Sequence, residues 1–153
     1  MVARKDLPHG ELTHQIIECF YATYRELGSG FSERVYQRAL QIVLTENGLR
    51  AGYNVEMEVH FHGKLLGTFF ADLVVNETVL IEVKAKETLK GPDVGQVINY
   101  LKAAGGGVGL LLNFSPVAPE FKRIVQGDPL RSLPRMQDES SSNSSRTYKD
   151  EHG

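Results

Sequence analysis

At 153 residues, with 41% hydrophobic and 24% charged side chains, the chain has the makeup of one globular domain and is neither an extreme disordered nor a collagen-like chain. Its 17 Lys+Arg against 19 Asp+Glu leave a formal net charge of −2, which excludes the broad basic surface of a bulk nucleic-acid binder and confines any such partner to a local site. The single cysteine, Cys19, excludes an internal disulfide and a Cys-rich zinc module, and no apolar run approaches the roughly 20 residues of a spanning helix, so the expectation is a cytoplasmic protein without a membrane partner.

In chain order, Leu12, Ile16, Phe20, Tyr24 and Leu27 recur at helical spacing and predict a first helix ending at Gly28. Ser29 and Gly30 make a tight joint. Ser32 is the N-cap of a second helix with Val35, Tyr36, Ala39, Leu40 and Val43 apolar, stopped by Asn47 and Gly48. The period then switches to two. Val55, Met57, Val59 and Phe61 alternate with Glu56, Glu58, His60 and His62, the pattern of a half-buried strand. After a turn at Gly63 and Lys64, a second strand is expected over 66–75 and a third over 78–86, with a turn at Asn76 and Glu77. Gly91, Pro92 and Asp93 open a third helix with Val94, Val97, Ile98 and Leu101 on its apolar face, ended by Gly105, Gly106 and Gly107. Val108 to Phe114 is an apolar run of strand length and reads as a central strand. A short closing helix is expected over 119–125. The order α-α-β-β-β-α-β-α predicts an α/β or α+β sandwich around a mixed sheet.

The composition changes near the end. From Arg135 to Gly153 the only sizeable apolar residues are Met136 and Tyr148, and serines crowd the middle. Such a segment cannot bury enough surface to offset its ordering entropy. The expected organisation is a domain over 1–126 and a mostly disordered Ser-rich tail over 127–153. A partner-binding or phosphorylated tail is the functional alternative.

The chemistry is sought where charge interrupts an apolar strand. In Val79-Leu80-Ile81-Glu82-Val83-Lys84-Ala85, Glu82 and Lys84 share one face, and burying such charges is costly unless they are paired or bind an ion. The preceding strand offers Asp72. Antiparallel partners keep a constant index sum, so a three-residue turn around Asn76 and Glu77 sets Asp72 opposite Glu82, and a two-residue turn breaks that register. Two facing carboxylates repel unless a cation or proton lies between them, and oxygen ligands favour Mg²⁺ or Mn²⁺. Lys84 beside such an ion is placed to orient a water or stabilise developing charge. The bland reading is an exposed Glu-Lys pair on an edge strand plus a stray Asp. Glu33 at a helix start and Gln96 and Tyr100, four apart on one helix face, are each unremarkable alone.

Taken together these residues resemble a known pattern. Gly30, Glu33 and Tyr36 match the signature of the GxxExxY family. Asp72 followed by Glu82 and Lys84 is similar to the Asp…Glu-x-Lys core of the PD-(D/E)XK nuclease superfamily, and Gln96 with Tyr100 resembles the QxxxY element of its RecB-like branch. The resemblance runs from about Leu12 to Val125. It implies a restriction-endonuclease-like αβββαβ core with an extra N-terminal helix. It also implies a divalent metal, Mg²⁺ or Mn²⁺, held by Glu33, Asp72 and Glu82 with the Val83 carbonyl as a further ligand. Lys84 is then the catalytic lysine, Gln96 a residue of the substrate or metal shell, and Tyr100 a residue that packs beneath or touches nucleic acid. Gly30 and Tyr36 look structural. One departure bears on substrate: Phe70 stands where many relatives have a basic residue, so a phosphate contact is missing there.

Lys86, Lys90 and Lys102 flank the expected site and Lys64 lies in a hairpin. They are either point-charge contacts to phosphate or a solvated rim. Gly105 to Gly109 follows a helix and precedes a strand, the reverse of a dinucleotide fingerprint. His60 and His62 are expected on one strand face, but no third ligand has zinc-like spacing. Cys19 reads as a packed thiol. The expectation is a metal-dependent nuclease that hydrolyses DNA or RNA phosphodiesters by a metal-activated water. The rivals are a non-cleaving module that binds nucleic acid or a protein, and a structural subunit of a larger complex.

Overall fold

The computed structural model describes residues 7–130 and Leu133. The expected tail over 127–153 therefore lies almost entirely outside the described residues. Five of its positions, 127–130 and Leu133, are described: Gly127 completes the last strand, and Leu133 is buried with its amide donating to the Glu77 carbonyl.

Helices α1 (Gly10–Leu27) and α2 (Glu33–Glu46) meet at the predicted joint. Gly28 and Gly30 sit at φ 69° and 109°, conformations that L side chains rarely adopt, which is why glycine occupies both. The Tyr36 hydroxyl latches the joint: it donates to the Gly28 carbonyl at 2.6 Å and accepts the Phe31 amide at 3.2 Å. Ser32 caps α2 as expected, its hydroxyl accepting from the Val35 amide.

Five strands follow in a sheet of order β1-β2-β3-β4-β5: β1 (Ala51–Phe61), β2 (Lys64–Val75), β3 (Val79–Lys84), β4 (Gly106–Asn113) and β5 (Glu120–Gly127). Helix α3 (Gly91–Ala103) joins β3 to β4, which run parallel; the other pairs are antiparallel. The sheet is thus mixed, and β4, buried along its whole length, is the expected interior strand.

The expected closing helix over 119–125 is a strand instead. Without β5, the edge of the buried strand β4 would present unpaired backbone groups, and satisfying them outweighs the weak helical tendency of a seven-residue segment. The segment also carries the β-branched pair Ile124 and Val125. The order is therefore α-α-β-β-β-α-β-β.

The sheet divides two cores. On one side α1 and α2 pack Ile16, Phe20, Tyr36, Leu40 and Leu44 against Val79, Ile81 and Val83. On the other, α3 packs Val97 and Leu101 against Leu80, Leu111 and Ile124. A Cβ on Gly109 would come within 2.7 Å of the Val97 side chain, so glycine at this position lets α3 lie close on β4.

The β1–β2 ribbon changes sides along its length. Tyr53 and Leu73 pack with the α1–α2 core, whereas Val55 and Ala71, two residues on, pack with the α3 core. Residues two apart share a face in a regular strand. The left-handed Asn54, at φ 54°, rotates the ribbon between them, directly across from Asp72.

Candidate active site

The three-residue turn at 76–78 sets the β2–β3 register at Leu73↔Ile81, Val74↔Leu80 and Val75↔Val79, the index sum the sequence reading required. The pairing stops there. At the next level the strands splay, and side chains replace the backbone ladder: the Val83 amide donates to Asp72 Oδ2 at 2.9 Å, and the Asp72 amide to Glu82 Oε1 at 3.3 Å. Two carboxylates, 4% and 2% exposed, are thereby fixed against each other at the fork. Their N–H donors orient them and offset part of the desolvation of burial.

One step further along β3, Lys84 leaves the sheet towards α3. Its Nζ donates to Gln96 Oε1 at 3.0 Å, and Gln96 Nε2 donates to the Tyr100 hydroxyl at 3.0 Å. Tyr100 in turn lies flat on Phe69 of β2, ring centroids 3.8 Å apart and planes 11° from parallel. Gln96 and Tyr100 are adjacent because they are one helical turn apart. The predicted Lys84, Gln96 and Tyr100 therefore form one chain, and Phe69, which sequence reading passed over, closes it back onto the strand that carries Asp72.

Glu33 comes from the opposite layer, in the first turn of α2, and is half-buried. Its helix reaches the same end of the sheet. Tyr36, one turn on, stacks on Phe114 at 4.2 Å, and the Phe114 amide donates to the Lys84 carbonyl. Among the described residues no three His, Cys, Asp or Glu side chains are gathered into a metal-binding group, so Glu33 does not stand in one cluster with Asp72 and Glu82.

The expected substrate lysines are placed differently from one another. Lys86 Nζ pairs with Asp93 Oδ2 at 2.9 Å. Lys90 is exposed at the N-cap of α3, its amide also donating to Asp93 Oδ2. Lys102 is exposed in the last turn of α3, and Lys64 is exposed at the hairpin. Burial pushes the Asp93 carboxyl up, but the Lys86 and Lys90 hydrogen bonds and the charges of Lys86 and Lys84 outweigh it and hold the group below its ordinary range.

Sequence reading missed the residues that hold the 85–90 loop. Asn113, fully buried, accepts from the Lys86 amide and donates to the Lys86 carbonyl, and Glu120 accepts from the Leu89 amide. Ser115 donates to the Glu87 carbonyl. The available signal was a polar residue, Asn113, ending the apolar run of β4. The two histidines do not share a strand face: His62 lies in the turn at φ 49°, and a bulge shifts the register between Val59 and His60. Cys19 is a buried thiol, its pKa raised by burial and by the nearby Glu18 charge. A cavity of about 450 Å³ between α1 and α2 is lined by none of the site residues.

The site lies where the parallel strands β3 and β4 end, the usual position for a ligand crevice in an open α/β sheet. The donors brought together are the two carboxylates of Asp72 and Glu82, oxygen ligands of the kind a hard divalent cation such as Mg²⁺ or Mn²⁺ takes. No described helix is long and apolar enough to cross a membrane.

A family model described as PD-(D/E)XK nuclease superfamily matches residues 10–124. No curated protein matches the chain. Among solved structures it is similar to one described as "Crystal structure of SSO0001", at 22% identity and a TM-score of 0.46, over 78% of this chain and 59% of that one. The chain thus spans less than two thirds of that protein's length.

Proposed function

The chain belongs to the PD-(D/E)XK nuclease superfamily, and on that premise we propose that it is a metal-dependent nuclease hydrolysing phosphodiester bonds of DNA or RNA. The observation that carries this reading is the fork at Asp72 and Glu82: two buried, N–H-oriented carboxylates with a lysine two residues beyond. Within the superfamily, Gly30, Glu33 and Tyr36 favour the GxxExxY proteins, and Gln96 with Tyr100 favours the RecB-like branch. The lone Cys19 fits a reducing, cytoplasmic setting.

Asp72 and Glu82 would hold Mg²⁺ or Mn²⁺, with the Val83 carbonyl as a further ligand, whereas Glu33 would join them only through a rearrangement at the start of α2. Such an ion, when bound, supplies a lowered water pKa and neutralisation of phosphate charge. Lys84 orients the attacking water and stabilises charge developing on the phosphate. Gln96 holds the Lys84 ammonium in place through its Oε1, and Tyr100 anchors Gln96. Asp93 keeps Lys86 beside the site, and Lys90 at the start of α3 adds a second cation for the substrate backbone.

The test is cleavage of labelled single-stranded DNA, duplex DNA and RNA with Mg²⁺, Mn²⁺ or EDTA, beside Glu82→Gln. Metal-dependent cleavage absent from the variant is the expected result. Cleavage that survives Glu82→Gln, or a folded protein that cuts none of the three substrates under either metal, contradicts the proposal.

A further inference from the structure

The β1–β2 ribbon extends well beyond the rest of the sheet. Strand β3 pairs with β2 only at 73–75, while β1 pairs with β2 from Ala51↔Val75 out to Phe61↔Lys64. Within 58–68 every residue except Val59 is exposed. At about 3.3 Å per residue, the arm reaches roughly 25 Å from Asp72 to its tip.

Its two faces differ in charge. Partners across an antiparallel ladder share a face, so Met57 with Phe69, Val59 with Gly67 and, beyond the bulge, Phe61 with Lys64 line one side. This side is continuous with the site, because Met57 is buried in the α3 core and Phe69 stacks on Tyr100, the end of the Lys84–Gln96–Tyr100 chain. The acidic residues Glu56 and Glu58 pair with Phe70 and Thr68 on the opposite side. The site-facing side thus carries the exposed Phe61 ring, the half-buried Phe69 ring and a lysine, with no carboxylate. At the tip Phe61, 60% exposed, is stacked with His62 at 4.0 Å, beside exposed Lys64.

We propose that this face of the arm is a track for single-stranded nucleic acid that guides the strand into the Asp72–Glu82 fork. A carboxylate-free face suits a polyanion. The exposed Phe61–His62 ring pair at the tip can stack on an unpaired base, which a duplex keeps hidden, and the net charge of −2 provides no broad basic surface for duplex binding. The inference rests on the nuclease reading and specifies the form of its substrate.

Binding is measured without cleavage, by fluorescence anisotropy of a labelled oligothymidylate and of a duplex of equal length, in EDTA at low salt. Phe61→Ala and Lys64→Glu are each expected to weaken single-strand binding about five-fold or more. Glu58→Ala, on the other face, is expected not to weaken it. Because these side chains are exposed, the urea midpoint stays at the wild-type value, and Lys64→Glu carries the test alone if Phe61→Ala does not fold. Wild-type single-strand binding left unchanged by folded Phe61→Ala and Lys64→Glu overturns the track but leaves the nuclease reading standing. Tighter duplex than single-strand binding overturns the choice of strand. A wild-type protein that binds no nucleic acid and cleaves none with Mg²⁺ or Mn²⁺ overturns both.

Discussion

Asp72 has two tasks that substitution can separate. Its carboxylate is a candidate metal ligand, and its Oδ2 also accepts the Val83 amide where the β2–β3 ladder ends. Asp72→Ala removes both, leaving a buried N–H without its partner at a cost of about 1–3 kcal/mol. Asp72→Asn keeps an oxygen for the amide, loses the charge and puts an NH₂ donor in place of the second oxygen. Urea unfolding is expected to show Asp72→Ala destabilised by that amount and Asp72→Asn much closer to wild type, with cleavage lost in both. Lys84→Met is expected to retain metal binding and lose turnover, measured by calorimetry beside a cleavage assay. Gln96→Ala removes the acceptor that holds the ammonium and is expected to lower turnover by less than Lys84→Met does.

The Asp93 carboxylate ties stability to pH. Its pKa in the fold lies below the ordinary aspartate value of about 3.9, so folding favours the ionised form. The stability it contributes is fully present above the unfolded value and is lost as pH falls through the lower folded value. The stability gap between wild type and Asp93→Asn is therefore expected to be constant above about pH 5 and to close below about pH 4, followed by urea midpoints across that range. A gap that widens on acidification contradicts the assignment.

Among the elements, the helices were the most legible, because a glycine pair, a serine cap and a 3.6-residue period all agree over α1 and α2. The β2–β3 register was legible only as a condition: Asn76 and Glu77 marked a turn, but whether it held two or three residues decided which side chains face each other, and the fold has three. What local pattern could not show was whatever depended on a distant neighbour. Segment 119–125 forms β5 because β4 needs a partner. Asn113 is fully buried because the 85–90 loop needs a clamp, and Asn54 bends β1 across from Asp72. Of the residues the motifs singled out, Asp72 meets Glu82, and Lys84, Gln96 and Tyr100 form one hydrogen-bonded chain, whereas the pairing of Lys86 with Asp93 required the fold. Two substitutions test the element-level packing by urea unfolding. Gly109→Ala forces a methyl onto Val97 and is expected to cost about 1–3 kcal/mol by overpacking. Asn113→Ala leaves the Lys86 amide and carbonyl without their partner and is expected to cost a similar amount.

The whole molecule sets a small acidic centre into a chain of net charge −2, so cation binding and polyanion binding are separate demands on it. In the proposed reading the first belongs to the fork between β2 and β3, and the second falls to lysines on α3 and to the arm that β1 and β2 extend past the sheet. Binding of a strand is expected to weaken as salt rises, with a shallow slope because few cations are available to contact phosphate. A steep slope would mean a basic surface elsewhere in the chain.

If Asp72 and Glu82 form a divalent-metal centre, Mn²⁺ titration by calorimetry in the absence of nucleic acid reads that binding apart from any cleavage. Saturable binding by the wild-type protein that disappears in both Asp72→Asn and Glu82→Gln, with folding retained, is the predicted result. Equal Mn²⁺ binding by wild type and both variants would contradict it.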